Sequence, residues 1–383
     1  MKKLRYKRVL LILIIITAIV GISLSFLYIS KKNMNEVSLD NINITLKEAY
    51  EAFIEEEPPL EENINIENTE TSASAWIPYW DFNNAFTSYK NNSDKFNSLS
   101  PTWYAVQDNG SLELKNTARN TELISLCKNN QTKLIPSISN SNAEILSDII
   151  NNEDLLNIHI ECIVNEVITY EYDGIDIDYE YIKSTDKNAF TNFIKILSEE
   201  LHNNNKTLTI AILWKNDLDT IIEQFSESRA AQDWEAIGQY VDEFRIMAYD
   251  YTGSEDNAYS ISPKDWISSI LDYAIEKVDS EKIILGLPLY AYEWKEGVKG
   301  ARALIWEDVE YITMNYPIIE NKLDLDTLEK KLIYESGGSN NVIWYQDSEV
   351  TDKRINLAQN YGIYNFIFWR LGGEDPEIYN LID

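Results

Sequence analysis

From Ser74 onward, short apolar or β-branched runs alternate with longer segments whose apolar residues recur at helical spacing. The runs are "SAWIPYW" (74–80), "SPTWYAVQ" (100–107), "KLIPSIS" (133–139), "GIDIDYE" (174–180), "TLTIAILW" (207–214), "EFRIMAYD" (243–250), "KIILGLPLY" (282–290) and "NFIFWRLG" (365–372). Between them lie helical patterns such as "TELISLCKNN", "KNAFTNFIKILSEELHNN", "PKDWISSILDYAIEKV" and "TDKRINLAQNYG". Strand followed by helix, eight times over, predicts parallel strands joined by crossover helices, and that number suits a closed α/β fold, the (β/α)8 TIM barrel, better than an open sheet. No G-x-G-x-x-G or P-loop pattern is present. The interval between the seventh and eighth runs is long enough for a small inserted α+β unit, roughly 293–345.

The N-terminal segment follows another pattern. Basic residues crowd positions 1–8, and an uncharged apolar run covers 9–29. About 20 such residues span a bilayer core, whereas a cleavable signal has a shorter apolar region of about 7–15. The segment is therefore expected to be an uncleaved transmembrane signal anchor, with the denser basic flank keeping the N-terminus in the cytoplasm and the remainder outside. The alternative is secretion after cleavage near Ser25. Residues 30–73 have the polar, acidic composition of a linker, and as a flexible coil would hold the barrel of 74–383 on the order of 35 Å from the membrane.

The balance of 63 acidic against 33 basic residues, net charge −30, argues against nucleic acid as a partner. Two cysteines, Cys127 and Cys162, are expected as buried thiols in helices rather than a disulfide or metal site. Two histidines, His159 and His202, also fall in helical segments without metal-ligand spacing, which argues against a zinc centre or a Ser-His-Asp triad. Chemistry is left to carboxylates and tyrosines.

One run concentrates them. In "YDGIDIDYEY" (172–181), Asp176, Asp178 and Glu180 alternate with Ile175, Ile177 and Tyr179. On a barrel strand the apolar set faces the helices and the acids face inward, with Glu180 at the C-terminal end where barrel active sites lie. Like charges stacked inside a barrel raise each other's pKa. The expectation is a tuned proton donor: Asp176 and Asp178 share a proton, and Asp178 hydrogen-bonds Glu180 and keeps it a neutral acid. Gly174 is expected to serve the turn into the strand. An EF-hand Ca²⁺ loop lacks its central Gly and distant Glu here; a Mg²⁺ site at the rim is the alternative to a proton-transfer role.

"DGIDIDYE" resembles the DGxDxDxE signature of glycoside hydrolase family 18, the chitinase-like (β/α)8 hydrolases. "RIMAYDY" (245–251) is similar to that family's sixth-strand M-x-Y-D, "ILGLPLYAYEW" to its seventh strand and "FIFWRLGGED" to its last strand with its Trp. "AWIPYWD", "PSISN", "ARALIWEDVEYI" and "NNVIWYQDSEV" look most like the bacterial branch associated with spore-cortex and peptidoglycan hydrolysis, although an anchor stands where many of that branch carry wall-binding repeats. The resemblance implies retaining, substrate-assisted hydrolysis of β-linked N-acetylglucosamine glycans without metal or cofactor, an exception to the two-carboxylate scheme. It implies Glu180 as general acid and then base, Asp178 as acceptor of the acetamido N–H, and Asp176 as keeper of the proton balance beneath. Tyr249 would donate to the acetyl oxygen and Trp369 would form the floor under the sugar. Asp250 and Met247 belong to the same sixth-strand motif and are taken as substrate-binding. Tyr79 and Tyr290, with Trp80, Trp103 and Trp214, are aromatics that can stack on sugars or pack in the core. The expected partner is a polysaccharide, with membrane attachment through the N-terminal helix and the protein a monomer. The alternatives are chitin, the N-glycan core, or a non-catalytic sugar-binding protein, a class that typically loses the terminal Glu.

Overall fold

The structure, a computed structural model, describes residues 71–216, 226–254 and 257–382. The expected basic segment 1–8, membrane helix 9–29 and most of the linker lie outside the described residues. Among the described residues no helix is long and apolar enough to cross a membrane.

In chain order the strands are β1 (Ser72–Ile77), β2 (Ser98–Val106), β3 (Leu112–Leu114), β4 (Lys133–Leu134), β5 (Ser137–Ser139), β6 (Gly174–Asp178), β7 (Thr207–Leu213), β8 (Glu243–Met247) and β9 (Ile283–Pro288). Then come β10 (Ala291–Lys295), β11 (Ala301–Leu304), β12 (Ile318–Asp324), β13 (Glu329–Ser336), β14 (Ser339–Tyr345) and β15 (Asn365–Trp369). β1, β2, β5, β6, β7, β8, β9 and β15 run parallel, and the pairing of β1 with both β15 and β2 closes them into an eight-stranded barrel. β3 folds back antiparallel on β2. Helices Thr121–Asn130, Glu153–Thr169, Lys187–Asn203, Lys264–Lys277 and Ser348–Gln359 are among the crossovers, so the (β/α)8 expectation holds for this part of the chain.

Where pattern and structure differ, local chemistry accounts for it. β1 begins at Ser72, inside the expected linker, because Ser72 and Ala73 are small enough to read as linker, yet Ala73 is fully buried against the core. The third barrel strand is broken into β4 and β5 at Pro136, which has no N–H for the ladder. The runs ending at Glu180, Asp250, Tyr290 and Gly372 leave the ladder two or three residues early, at Asp178, Met247, Pro288 and Trp369. The residues beyond those ends form the rim of the barrel mouth.

Between β9 and β15 the antiparallel sheet β11-β10-β14-β13-β12 and the helix Trp306–Asn315 build a small α+β unit. It has its own core of Leu304, Val309, Ile312, Leu332, Ile343 and Tyr345.

The acid-bearing strand β6 is held from outside. Ile175, Ile177 and Tyr179 are buried in the core, where Tyr179 stacks on Phe193 of the helix Lys187–Asn203 at 5.8 Å between ring centres. At the start of β6, Gly174 pairs with Thr207 of β7. A Cβ there would lie 2.1 Å from the Thr207 carbonyl oxygen, so Gly174 serves a close backbone approach rather than the expected turn. Gly174→Ala is expected to destabilise the protein by about 1–3 kcal/mol or more, since β6 and β7 must part to admit a methyl group. Urea unfolding followed by circular dichroism checks this, and an unchanged midpoint would contradict it.

Candidate active site

The acids of β6 climb from the barrel interior to its mouth, and each level is treated differently. Asp176, fully buried, accepts hydrogen bonds from Trp76 Nε1 (3.0 Å), Ser137 Oγ (2.7 Å) and Thr209 Oγ1 (2.6 Å). It also pairs with the guanidinium of Arg245 on β8 at 3.3 Å. Arg245 is itself fully buried and holds Glu243 (2.6 Å) and Ser100 Oγ (2.6 Å). Burial alone would lower its pKa, but Glu243 and Asp176 outweigh that and hold it charged. No hydrogen bond joins Asp176 to Asp178, as the expected shared proton would require; both Asp176 oxygens are occupied by other donors, one of them a cation.

Asp178, one level up, has no such partners. Its Oδ1 is buried and meets no hydrogen-bond donor. Burial first, then the charges of Glu180 and Asp176, push its carboxyl well above the usual range. The expected hydrogen bond from Asp178 to Glu180 is absent as well; the two couple through charge. An unpaired buried oxygen in a site otherwise rich in donors is a costly feature that invites a ligand.

Glu180 stands beyond the end of β6 with its side chain open to solvent at the mouth. Its surroundings still strip away enough water to raise its pKa, and the charge of Asp250 raises it further. Asp250 follows β8 with φ 59°, a left-handed conformation that Asp tolerates, and this turn points the chain across the mouth. Its Oδ1 accepts from the hydroxyl of Tyr290 and, at 3.2 Å, from that of Tyr292. Burial raises the Asp250 carboxyl; the two phenols moderate that.

Tyr249 is buried beside Met247, Trp76, Ile284 and Ile367, with Trp369 and Tyr290 packed against them. Its phenol is raised far above the ordinary value by burial and by Asp178, Glu180, Asp250 and Asp176, so it stays a hydrogen-bond donor. Gly286 makes room for it: a Cβ there would come within 3.3 Å of the Tyr249 ring and 2.6 Å of the Ile246 carbonyl oxygen. At the end of β15, Trp369 lies half-buried between Trp76 (6.1 Å) and Trp80 (6.0 Å), and Trp80 is 58% exposed. Tyr79, half-buried next to Trp80, sits under Lys115.

The structure thus gathers Asp176, Asp178, Glu180, Tyr249, Asp250, Met247, Tyr290, Trp369 and Tyr79 at one end of the barrel. Two expected aromatics drop out. Trp103 is wholly buried in the core, and Trp214 is engaged by Arg229 over its ring at 3.9 Å and edge-on by Trp266 at 5.1 Å. His159 is buried between Gly110 O and the Tyr179 hydroxyl and is pushed down to about 4 by desolvation, so it is a neutral core residue. Cys127 and Cys162 are free, and Cys162 is only half-buried.

Sequence reasoning missed Arg245, Ser137, Thr209, Trp76 and Tyr292. A signal for Arg245 existed: it shares the inward alternation of Met247 and Tyr249, where a lone cation needs an interior anion.

A model of the glycosyl hydrolases family 18 matches residues 73–374. Among curated proteins the chain is 23% identical to the uncharacterized glycosylase YvbX of Bacillus subtilis over 277 residues, covering 68% of this chain and 77% of that one. It is 26% identical to the cortical fragment-lytic enzyme of Bacillus anthracis over 260 residues, covering 65% of this chain but only 58% of that enzyme's length. The fold is shared with the Bacillus cereus spore cortex-lytic enzyme SleL, TM-score 0.74 at 20% identity, over 82% of this chain and 74% of that one. With the family match spanning most of the chain and the acids of its signature brought to the barrel mouth, this protein belongs to family 18 of the glycosyl hydrolases and is a glycosidase.

Proposed function

We propose that the protein hydrolyses β-linked N-acetylglucosamine glycans, with peptidoglycan or its spore-cortex form as substrate, by a retaining mechanism in which the substrate's acetamido group is the nucleophile. One observation carries this reading. The middle acid of the stack, Asp178, keeps a buried oxygen free of any donor while the acid beneath it is saturated. An acetamido N–H laid over Trp369 would supply that donor and turn its carbonyl toward the anomeric carbon. The Tyr249 hydroxyl, held protonated by burial and by the acids around it, would donate to the acetyl oxygen and orient it toward the anomeric carbon. Glu180, raised and open to the mouth, would give its proton to the glycosidic oxygen as the C–O bond breaks. It would then take one from water as the ring opens.

The glycan is suggested by the cortical fragment-lytic relatives and by the basic-then-apolar start of the chain, which suits an enzyme held at a membrane facing the wall.

The full chain is expected to release reducing ends from purified wall sacculi, read by mass spectrometry, and Glu180→Gln to lose about 100- to 10,000-fold of that rate with folding intact. Unchanged turnover in the variant would refute the assignment, and cleavage of chitohexaose in preference to sacculi would move the substrate to chitin. The pH profile tests the electrostatics. Since burial and Asp250 raise Glu180, the basic limb of kcat/KM should lie above the ordinary glutamate pKa of about 4.3. Removing the negative charge in Asp250→Asn makes ionisation of Glu180 easier, so the limb should move to lower pH; a limb that stays or rises contradicts the coupling. In cell fractionation the full chain should sediment with membranes, and a shortened chain in the medium would instead favour cleavage near Ser25.

A further inference from the structure

The regular pairing of β6 stops short of the residue that matters most. Its last partner on one side is Ser139 opposite Asp178, and on the other Ile210 opposite Ile177. Glu180 lies beyond both ladders, in a stretch without regular structure. Such a segment at a barrel rim would ordinarily be mobile, since nothing in either neighbouring strand holds its peptide groups.

Two buried side-chain amides take the place of the missing strand partners. Asn140, directly after β5 and 6% exposed, donates from Nδ2 to the Tyr181 carbonyl oxygen (2.6 Å) and accepts at Oδ1 from the Tyr181 N–H (3.1 Å). On the opposite side Gln232, fully buried, donates from Nε2 to the Tyr179 carbonyl oxygen (3.2 Å) and accepts at Oε1 from the Leu213 N–H at the end of β7 (2.9 Å). Each carboxamide presents one donor and one acceptor in a plane, as a peptide group does, so each extends a ladder by one rung. The two rungs grip the peptide units immediately before and after Glu180. Ser228 continues the row, donating from its hydroxyl to the Ile182 carbonyl oxygen (3.3 Å) and accepting from the Ile182 N–H (3.0 Å). Glu227 accepts from the Ser184 N–H (2.8 Å).

We infer that Asn140 and Gln232 are positioning residues for Glu180: they fix the backbone on either side of an exposed acid so that its proton is delivered to the glycosidic oxygen and not elsewhere. The inference rests on the acid role given to Glu180 above. Neither amide is hydrogen-bonded to the Glu180 side chain, and both are buried. Their effect is to make rigid a residue that must also be open to solvent. A misplacement of about 1 Å at a reacting group can cost about 100-fold in rate.

The isosteric variants Asn140→Asp and Gln232→Glu each keep the acceptor and lose the donor, leaving an oxygen facing a carbonyl oxygen. The test compares two β-glycosides of N,N′-diacetylchitobiose: one with a 2,4-dinitrophenyl leaving group, which departs without a proton, and one with a methyl leaving group, which needs it. Poor alignment of the acid should lower kcat/KM, which reports the bond-breaking step alone, about 10- to 100-fold for the methyl glycoside while the dinitrophenyl glycoside loses about 3-fold or less. Equal losses on both glycosides, or no loss on either, in a variant that unfolds cooperatively would overturn the inference, as would failure of both variants to fold, which would make the amides parts of the fold alone. Wild-type protein that cleaves neither these glycosides nor wall sacculi would instead sink the acid assignment, and the inference with it.

Discussion

The arrangement depends on how negative charge is kept inside a barrel. A buried ion pair survives only when its geometry is good and its remaining hydrogen-bonding capacity is filled, because desolvation costs several kcal/mol per ion. Asp176 meets that condition with Arg245 and three neutral donors, and Arg245 in turn is closed off by Glu243, Ser100 and Ser98. The interior therefore has one acid at rest. Asp178 sits above a fixed negative charge and below Glu180 with nothing to neutralise it, and the energy of that position is met by packing on the other side of the strand. Burial of Ile175, Ile177 and Tyr179 contributes roughly 1.5–3 kcal/mol each for the large apolar side chains, enough to hold the strand in a register that its inward face would reject. The strand is locked from the helix side and stressed on the inner side.

Much of this was legible in the chain. Period-two alternation in "GIDIDYE" fixed which residues face inward, and eight strand-helix repeats bounded the topology to a closed barrel. What stayed hidden has a common physical origin. Arg245, Ser137, Thr209 and Trp76 come from four strands spread over the chain, and only closure of the barrel brings them to Asp176, so no local pattern announces them. The strand ends were overrun for a related reason. Residues such as Glu180 and Tyr249 continue the alternation of side chains after the backbone has left the ladder, so the pattern persists where the hydrogen bonds do not. Trp103 and Trp214 were ambiguous because an aromatic near a strand end has the same sequence signal whether it faces the mouth or the helices.

The inserted sheet is more than an ornament on the rim. Tyr290, just past β9, and Tyr292, on β10, reach Asp250. From β13 the buried Glu329 accepts from the N–H groups of Ile261 and Ser262, both at 3.1 Å, while Arg354 pairs with it at 3.2 Å. Ser262 then donates to the carbonyl oxygen of Ala248, next to Tyr249. The loop leaving β8 is therefore gripped at its beginning and its end by one unit, and Tyr249 and Asp250 lie in the gripped portion. A family of barrels can change such an insertion for specificity only so far as these contacts persist.

The same field serves two groups with opposite requirements. In the proposed reaction the acid must hold its proton at working pH yet release it on demand, whereas a phenol that orients the acetyl oxygen by donating to it must keep its proton throughout. Asp250 raises Glu180, and Asp178, Glu180, Asp250 and Asp176 together raise Tyr249 much further. The difference follows from position. Glu180 stands at the mouth beyond the end of β6, raised by burial and by Asp250, while Tyr249 lies within the apolar cluster and is raised by burial and by all four carboxyl groups. One set of acids thus acts on two donors that sit at different depths. That gradient of depth along the barrel axis, more than the identity of any single acid, sorts the side chains into their chemical parts.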